Sequence, residues 1–505
     1  MEKVNVGSDV PVVGHWIAGA LRMGTGERTG DVYNPATGDV TKKVAFAAAS
    51  DVNDAVAAAE AAFATWRTST LAQRVRILFA FRQLCIDRQD ELAAIITSEH
   101  GKTLDDAAGE IARGLEVVEF ACGIPHLLKG GFSEGVSSNV DVYSLRQPLG
   151  PVAIISPFNF PAMVPCWFFP VAIAAGNTVV LKPSERDPSA ANWFAERWAE
   201  AGLPAGVFNV LHGDKTAVTG LIEHPAIKAV SFVGSTPVAH SVYELGTKAG
   251  KRVQALGGAK NHMIVLADAD LNQAANAAVS AGFGSAGERC MAISVVVVVD
   301  DVADALVAKI VETMATLRVG DGRRSCDMGP LVTKEHLARV AGYVERGVSE
   351  GADLVVDGRG IAVDGASGGF WLGPTLFDRV TPEMTIYTDE IFGPVLSIIR
   401  VHSFDAAMNL VNANAHGNGA AIFTGDGYAA RRFQSEIEVG MVGINVPIPV
   451  PVSYYSFGGW KNSLFGDTHA HGTEGVHFFT RGKVVTSRWP ESSHQGLDFA
   501  FPQNA

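Results

Sequence analysis

From Val152 onward, short uninterrupted apolar runs alternate with longer segments whose apolar positions recur at helical spacing. An uninterrupted run is what a strand buried on both faces requires, and the alternation is that of a doubly wound parallel sheet. Val152 to Ile155, Val179 to Leu181, Val207 to Val210 and Ala229 to Val233 are the expected strands, with helices beginning near Pro161, Pro188, Lys215 and Pro237. A second series starts at His262-Met-Ile-Val-Leu266 and runs through Ile293-Ser-Val-Val-Val-Val-Val299. It continues with helices Val302 to Leu317 and Lys334 to Ser349, a strand Val395 to Val401, a helix Phe404 to Ala413 and a segment Gly419 to Thr424. A second α/β lobe follows.

Ahead of residue 151 the pattern differs. Up to about residue 50, short apolar runs separated by turns such as Tyr33-Asn-Pro-Ala-Thr-Gly38 predict strands and loops. Ser50 is expected to cap a helix from Asp51 to Trp66, and Ser69 or Thr70 a long amphipathic helix reaching Glu99. Leu104 to Leu128 reads as a third helix. Alternation in Val140-Asp-Val-Tyr-Ser-Leu-Arg146 predicts an extended ribbon leaving the compact body, and Lys483-Val-Val-Thr-Ser487 a further strand; both are candidate subunit contacts. Val446-Pro-Ile-Pro-Val-Pro-Val452 holds too many prolines for an interior strand.

A chain of 505 residues is too long for one hydrophobic core and should divide into two or three lobes. Its net charge of −13 argues against nucleic acid as a partner and points to small molecules or further copies of the chain. No apolar run has membrane-spanning length, so no membrane association is expected. The first residues, with early acidic side chains and no apolar centre, resemble neither a secretory signal nor a transit peptide. Cysteines at 85, 122, 166, 290 and 326 lack C-x-x-C pairs and give neither a disulfide framework nor a zinc site; no metal is expected. These features together predict a soluble, cytoplasmic protein.

Cys290 ends the Gly/Ala-rich stretch Gly282-Phe-Gly-Ser-Ala-Gly-Glu-Arg-Cys290, directly ahead of a β-branched run. A thiol there can reach a ligand, but it attacks carbonyls only as the thiolate, and Arg289 is the neighbouring cation. A packed thiol beside a core strand is the other reading of the same residues. Gly282, Gly284 and Gly287 spell G-x-G-x-x-G, yet a helical pattern from Leu271 to Ser280 precedes them where the dinucleotide fingerprint needs a strand, so the match is rejected. The strand tips of the first series carry Ser156-Pro-Phe-Asn159, Lys182-Pro-Ser-Glu185, Gly213-Asp214 and Gly234-Ser235, and ligands of doubly wound sheets collect at such tips. Lys182 with Glu185 suits ribose hydroxyls. Gly234-Ser-Thr-Pro237 reads as strand end, cap and first helical turn, which leaves N–H groups for a pyrophosphate.

Taken in order, Pro157-Phe-Asn-Phe-Pro161, Val179-Val-Leu-Lys-Pro-Ser-Glu185, Phe232-Val-Gly-Ser-Thr236, Gly287-Glu-Arg-Cys290 and Glu390-Ile-Phe-Gly-Pro394 resemble the motifs of the aldehyde dehydrogenase superfamily, over nearly the whole chain. The resemblance implies an α/β fold with a Rossmann-type NAD domain (residues 1–129 and 151–258), an α/β catalytic domain (259–445) and a β-strand oligomerisation arm (130–150 and 480–495). A homo-oligomer, tetramer or dimer, goes with that arm. Cys290 is implied as nucleophile, and the Asn159 side chain with the Cys290 backbone N–H as oxyanion hole. Ser156, Phe158, Lys182, Glu185, Arg186, Ser235, Gly257 and Glu390 match positions that contact the dinucleotide. Glu185 on the ribose disfavours a 2′-phosphate, which favours NAD over NADP.

In hydrolytic members of the superfamily Glu-Leu-Gly-Gly-Lys supplies a general base. Here the segment reads Gln254-Ala-Leu-Gly-Gly-Ala-Lys-Asn-His262, without a carboxylate and with one extra residue. A thioester that resists water persists until another thiol takes it, which is chemistry suited to coenzyme A. This segment, together with Val446-Pro-Ile-Pro-Val-Pro451 and Phe465-Gly-Asp-Thr-His469, resembles the methylmalonate-semialdehyde dehydrogenase branch, whose two substrate-carboxylate arginines match Arg113 and Arg289. The implied reaction is NAD-dependent, CoA-acylating oxidative decarboxylation of methylmalonate semialdehyde to propionyl-CoA and of malonate semialdehyde to acetyl-CoA. Valine, inositol and β-alanine breakdown are all compatible sources. Two positions depart from the branch: Phe457-Gly-Gly-Trp-Lys461 at the substrate mouth, and Glu288 in place of Gln, as replacement base, loop anchor or solvated residue. A water-using NAD-dependent dehydrogenase, for instance of succinate semialdehyde, is the alternative within the class, and a non-catalytic protein on the same fold the alternative outside it.

Overall fold

The computed structural model describes residues 10–363 and 368–489. An eight-stranded sheet forms the first layer, and its five inner strands Arg252–Leu256, Ala229–Val233, Pro151–Ile155, Thr178–Lys182 and Phe208–Val210 lie parallel in that order. The last four are buried at every position, which is why each reads as an unbroken apolar run. The chain moves outward from Pro151–Ile155 on one side and returns on its other side with Ala229–Val233. Strand order therefore reverses between these two, and a crevice opens at their carboxyl ends. Short antiparallel strands close the edges, His15–Ile17 with Ala20–Arg22 on one flank and Leu464–Phe465 on the other.

A seven-stranded sheet forms the second layer, in the order Asp353–Val356, Thr375–Asp378, Val395–Val401, Ile293–Val299, Asn261–Val265, Gly419–Phe423 and Met441–Ile444. Only the first of these is antiparallel to its neighbour. Cys290, Asn261 and Glu390 all stand at or just before the amino ends of its strands.

The expected ribbon is the hairpin Phe132–Ser137 and Val140–Pro148, completed by Thr480–Arg488, which pairs from Thr480 opposite Pro148 to Arg488 opposite Val140. Residues 490–495 of the expected arm lie outside the described residues. The arm is rooted by Asn177, which is wholly buried. Its Oδ1 accepts from the Leu149 and Gly150 N–H groups (2.7 and 3.2 Å), while Nδ2 donates to the carbonyls of Ala172 and Phe479 (3.0 and 2.9 Å).

Ahead of residue 151, helix boundaries differ from the sequence reading in three places, and further on the helix expected over Val302 to Leu317 is Asp300–Met314. The first helix is Ala49–Trp66, begun by Ala48 rather than capped by Ser50, because Asp51 reaches back to the Ala48 N–H (2.8 Å) and also holds Thr25 N–H (2.9 Å). Thr70 does cap the second, but the segment to Glu99 is two helices, Leu71–Asp87 and Gln89–His100, broken where Arg88 leaves helical geometry (φ −126°, ψ 25°). Leu104–Cys122 stops at Gly123, and Pro125 permits only one further turn, Ile124–Leu127. Met163–Ala174 is apolar all round and buried at every position. It packs on Leu104–Cys122 through Gly114, where an added Cβ would come within 3.1 Å of Cys166.

Asn177→Ala leaves three buried backbone groups, the Leu149 and Gly150 N–H and the Phe479 carbonyl, without the partner they have here, and since each such group costs roughly 1–3 kcal/mol, the expected loss of stability is at least about 3 kcal/mol. Urea unfolding of the variant checks it.

Candidate active site

Helix Leu271–Phe283 leads into Ser285, Ala286 and Gly287, all left-handed (φ 52°, 52° and 73°). The left-handed turn carries the chain to Cys290, ahead of the strand Ile293–Val299. Gly287 is obligatory there, since a Cβ would sit 2.2 Å from the Gly393 carbonyl oxygen. The Cys290 carbonyl accepts from Asn261 Nδ2 (2.9 Å) and Asn418 Nδ2 (3.0 Å), and Asn261 also holds the Ala292 carbonyl and the Gly419 N–H (3.0 and 3.1 Å). Two amides thus fix the backbone of the cysteine. Sequence reading missed both; the one signal was that Asn261 lies in the segment Gln254–His262, already conspicuous for lacking a carboxylate.

Cys290, Arg289, Asn261, Glu390 and Phe392 line one cavity. Burial, ahead of all other influences, pushes the Cys290 thiol up to about 12; nearby Glu390 adds to this, and Arg289 opposes it least. The expected cation beside the thiol is not free to activate it, because Arg289 is ion-paired with Asp106 in the first turn of Leu104–Cys122. Glu390 Oε1 accepts the Ala259 N–H (2.8 Å), and burial raises its carboxyl above the usual range.

Glu288 is wholly buried and is absent from that cavity. Its Oε1 accepts the Val332 N–H (3.3 Å) and lies 3.4 Å from His336 Nε2; Oε2 lies 3.8 Å from His100 Nε2. Burial pushes the Glu288 carboxyl up to about 8, and lowers His336 to about 4 and His100 well below its ordinary value. At neutral pH Glu288 therefore keeps its proton between two neutral imidazoles. Its burial removes the solvated role, and its place outside the Cys290 cavity, against Val332, is that of an anchor for the cysteine loop.

Ala255, which precedes Leu256-Gly-Gly258 as the carboxylate precedes Leu-Gly-Gly in the hydrolytic motif, is buried in Arg252–Leu256 between Phe232 and Phe465 of the neighbouring strands. No acid can reach the site from that position.

The remaining sequence-predicted residues gather at the carboxyl ends of the first sheet. Ser156 is buried with its Oγ unpartnered among the described residues, and its N–H bonds the Lys182 carbonyl (3.1 Å). Lys182 Nζ meets Glu185 at 3.0 Å. Burial works against ionisation of Glu185, but Lys182 and Arg186 outweigh it and hold the carboxyl below the usual range. Arg186 lies over the Phe158 ring, 4.9 Å from its centre. Ser235 is the exposed cap residue of Thr236–Lys248 and makes no side-chain capping bond, so N–H groups of that first turn are available. Gly257 runs so close to Asn462 that a Cβ would lie 2.7 Å from its carbonyl oxygen. An orphaned hydroxyl, a cation–carboxylate pair and an open helix N-terminus around a strand-order reversal fit a dinucleotide.

Asn159 is buried, and its carbonyl accepts from Lys102 Nζ (2.6 Å). Arg113 lines a second, separate cavity with Trp167, Ser453 and His471; it is paired with Glu116 (2.8 Å) and donates to the carbonyl of Pro451 (2.9 Å). The two arginines thus do not share a cavity in the ligand-free chain, and each has its own carboxylate. Among the described residues there is no group of three His, Cys, Asp or Glu able to hold a metal, and no helix long and apolar enough to cross a membrane.

A thiol held near 12 alkylates slowly; iodoacetamide labelling of Cys290 in the ligand-free protein should accelerate about tenfold per pH unit from roughly pH 7 to 10, read by peptide mass. Glu288 takes up a proton on folding between its unfolded value of 4.5 and about 8. Stability of the wild type relative to Glu288→Gln should therefore fall as pH rises through that window and level off above it, measured as urea midpoints.

Residues 22–485 match the model of the aldehyde dehydrogenase family. The malonate-semialdehyde dehydrogenase of Pseudomonas aeruginosa is 57% identical over 492 residues, 97% of this chain and 99% of that protein. Malonate-semialdehyde dehydrogenase 2 of Geobacillus kaustophilus is 49% identical over 481 residues, 95% of this chain and 99% of its own. Among solved structures, a candidate methylmalonate-semialdehyde dehydrogenase of Sinorhizobium meliloti, complexed with NAD, superposes with a TM-score of 0.95 at 52% identity, covering 96% of this chain and 99% of that one. The methylmalonate-semialdehyde dehydrogenase of Oceanimonas doudoroffii gives 0.94 at 52% identity over 95% and 99% of the two chains. With its cysteine loop, its polar strand tips and a match spanning most of its length, the chain belongs to the aldehyde dehydrogenase family.

Proposed function

We propose that this chain is an NAD-dependent, CoA-acylating dehydrogenase of malonate semialdehyde and methylmalonate semialdehyde, working through a thioacyl intermediate on Cys290. The observation that carries the reading is Ala255, buried where hydrolytic relatives need a carboxylate. The names of the P. aeruginosa and O. doudoroffii proteins support the substrate class.

In this reading the Cys290 thiolate adds to the aldehyde carbon, and the charge developing on oxygen is met by the Asn159 amide and the Cys290 N–H. NAD, bound at the carboxyl ends of the first sheet, supplies the hydride acceptor. Lys182 and Glu185 hold its ribose hydroxyls, with Ser156, Phe158, Arg186, Ser235, Gly257 and Glu390 completing the surround. Loss of the aldehyde hydride leaves a thioester on sulfur whose acyl group carries a carboxylate beta to the carbonyl. The intervening C–C bond breaks, carbon dioxide leaves, and the electron pair rests in an enolate on the same oxyanion donors until carbon is protonated. The thiol of coenzyme A then attacks the thioester carbonyl, loses its proton and releases the Cys290 thiolate. The product is acetyl-CoA or propionyl-CoA. Arg289 and Arg113 serve the substrate carboxylate, Arg289 by exchanging Asp106 for it.

Residues 1–129 with 151–258 act as cofactor domain and 259–445 as catalytic domain. The arm of 130–150 and 480–495 joins copies of a cytoplasmic homo-oligomer, a tetramer or dimer; the exposure of Phe132 and Val484 supports this use.

Glu390 is the observation that favours a water-using alternative, since its carboxyl lines the Cys290 cavity. Its Oε1 is already tied to the Ala259 N–H (2.8 Å), and in this reading the carboxyl serves the cofactor rather than water. With malonate semialdehyde and NAD, NADH should form for a single turnover and then stall unless coenzyme A is present, with acetyl-CoA as product by mass and no signal from Cys290→Ala. Full-speed NADH formation and a free acid without coenzyme A would install the hydrolytic reading instead.

A further inference from the structure

We infer that Lys102 and Glu110 are positioning residues for the oxyanion hole, a buried ion pair that fixes the backbone of Asn159 from behind. The inference rests on Asn159 being the oxyanion donor and adds what aims it. Both side chains are wholly removed from solvent. Lys102 Nζ donates to Glu110 Oε2 (2.5 Å) and to the Asn159 carbonyl (2.6 Å), and lies 4.4 Å from the centre of the Phe160 ring. Glu110 Oε1 accepts the N–H groups of Ala162 (2.8 Å) and Met163 (3.2 Å). The pair therefore grips the segment from Asn159 to Met163 at both ends, the cation on a carbonyl and the carboxylate on two amides.

Three features give this grip a purpose beyond stability. Helix Met163–Ala174 has no side-chain cap of its own at Ala162, so Glu110, from a different helix, satisfies its first N–H groups and complements its dipole. The Asn159 side-chain amide makes no hydrogen bond among the described residues, so its aim is set through its backbone. Finally, a buried ion pair is a costly way to stabilise a fold, because desolvation cancels most of the attraction and apolar residues of equal volume do as well or better. What such a pair supplies is fixed geometry, and an oxyanion donor loses its effect when displaced by as little as an ångström.

The test is a kinetic cycle on the full-length protein, read as the first-turnover rate of NADH formation. Lys102→Met/Glu110→Gln removes both charges yet keeps an acceptor for Ala162 and Met163. It should lower that rate about a hundredfold, with semialdehyde KM and NAD affinity within about threefold of wild type. Made in an Asn159→Ala background, the same pair of changes should cost less than about threefold, because residues that act through one group are not additive. A general structural role would move KM and NAD affinity as well and would cost as much in either background. Equal losses in both backgrounds, or a folded double variant within threefold of wild type, would overturn the inference. Asn159→Ala turning over at the wild-type rate would remove the oxyanion reading itself, and this inference with it. If the double variant does not fold, Glu110→Gln alone carries the same cycle.

Discussion

Cys290 stands where it does because Ser285, Ala286 and Gly287 run successively in the left-handed sense. For residues with a Cβ that conformation costs about 1–2 kcal/mol each, so the turn persists only where its surroundings over-determine it. Here they do. The Glu288 N–H closes back on the Ser285 carbonyl (3.0 Å), the Glu288 carboxyl is sunk beside Val332, and Arg289 is pinned to Asp106. Beyond the turn, Asn261 and Asn418 converge on the Cys290 carbonyl. The polar groups around the turn hold it in that geometry.

Those same groups explain why the sulfur is quiet without ligands. Arg289, the cation next to the thiol, is opposed by Asp106, while Glu390 faces the thiol from the same cavity. Burial then keeps the proton on sulfur. A thiolate exposed at all times would be open to oxidation and alkylation.

Four strands of each sheet were legible in the chain because strands buried on both faces leave unbroken apolar runs; Val395–Val401 and the helices Lys334–Ser349 and Phe404–Ala413 fall where their spacing puts them, whereas Arg252–Leu256, Asp353–Val356, Thr375–Asp378 and Met441–Ile444 were not read as strands. Helix ends were less legible. The break at Arg88 has no glycine or proline to announce it, and the start at Ala48 depends on Asp51 reaching backward, which also ties down Thr25. In the candidate site, residues such as Cys290, Lys182 and Glu185 could be singled out because their order along the chain carries the motif signal. Lys102, Glu110, Asn418 and the imidazoles flanking Glu288 were not, since a lysine in His100-Gly-Lys-Thr103 looks like any polar junction between two helices. Its burial follows from Leu104–Cys122 packing on Met163–Ala174, a contact between segments about fifty residues apart that no local pattern encodes. The effect of Arg289 was misjudged for the same reason: adjacency in sequence put a cation next to the thiol, and Asp106, remote in sequence, neutralised it.

The root of the arm has a consequence for how the molecule is made. Asn177 binds Leu149 and Gly150 on one side and Phe479 on the other, and Val140–Pro148 finds its outer partner only in Thr480–Arg488. A nascent chain leaving the ribosome therefore carries a half-built hairpin, one flank unpaired, for as long as it takes to translate some three hundred further codons. Throughout that interval the flank can accept a strand from another chain as readily as its own tail. Fidelity of assembly is thus decided only once Thr480–Arg488 has emerged.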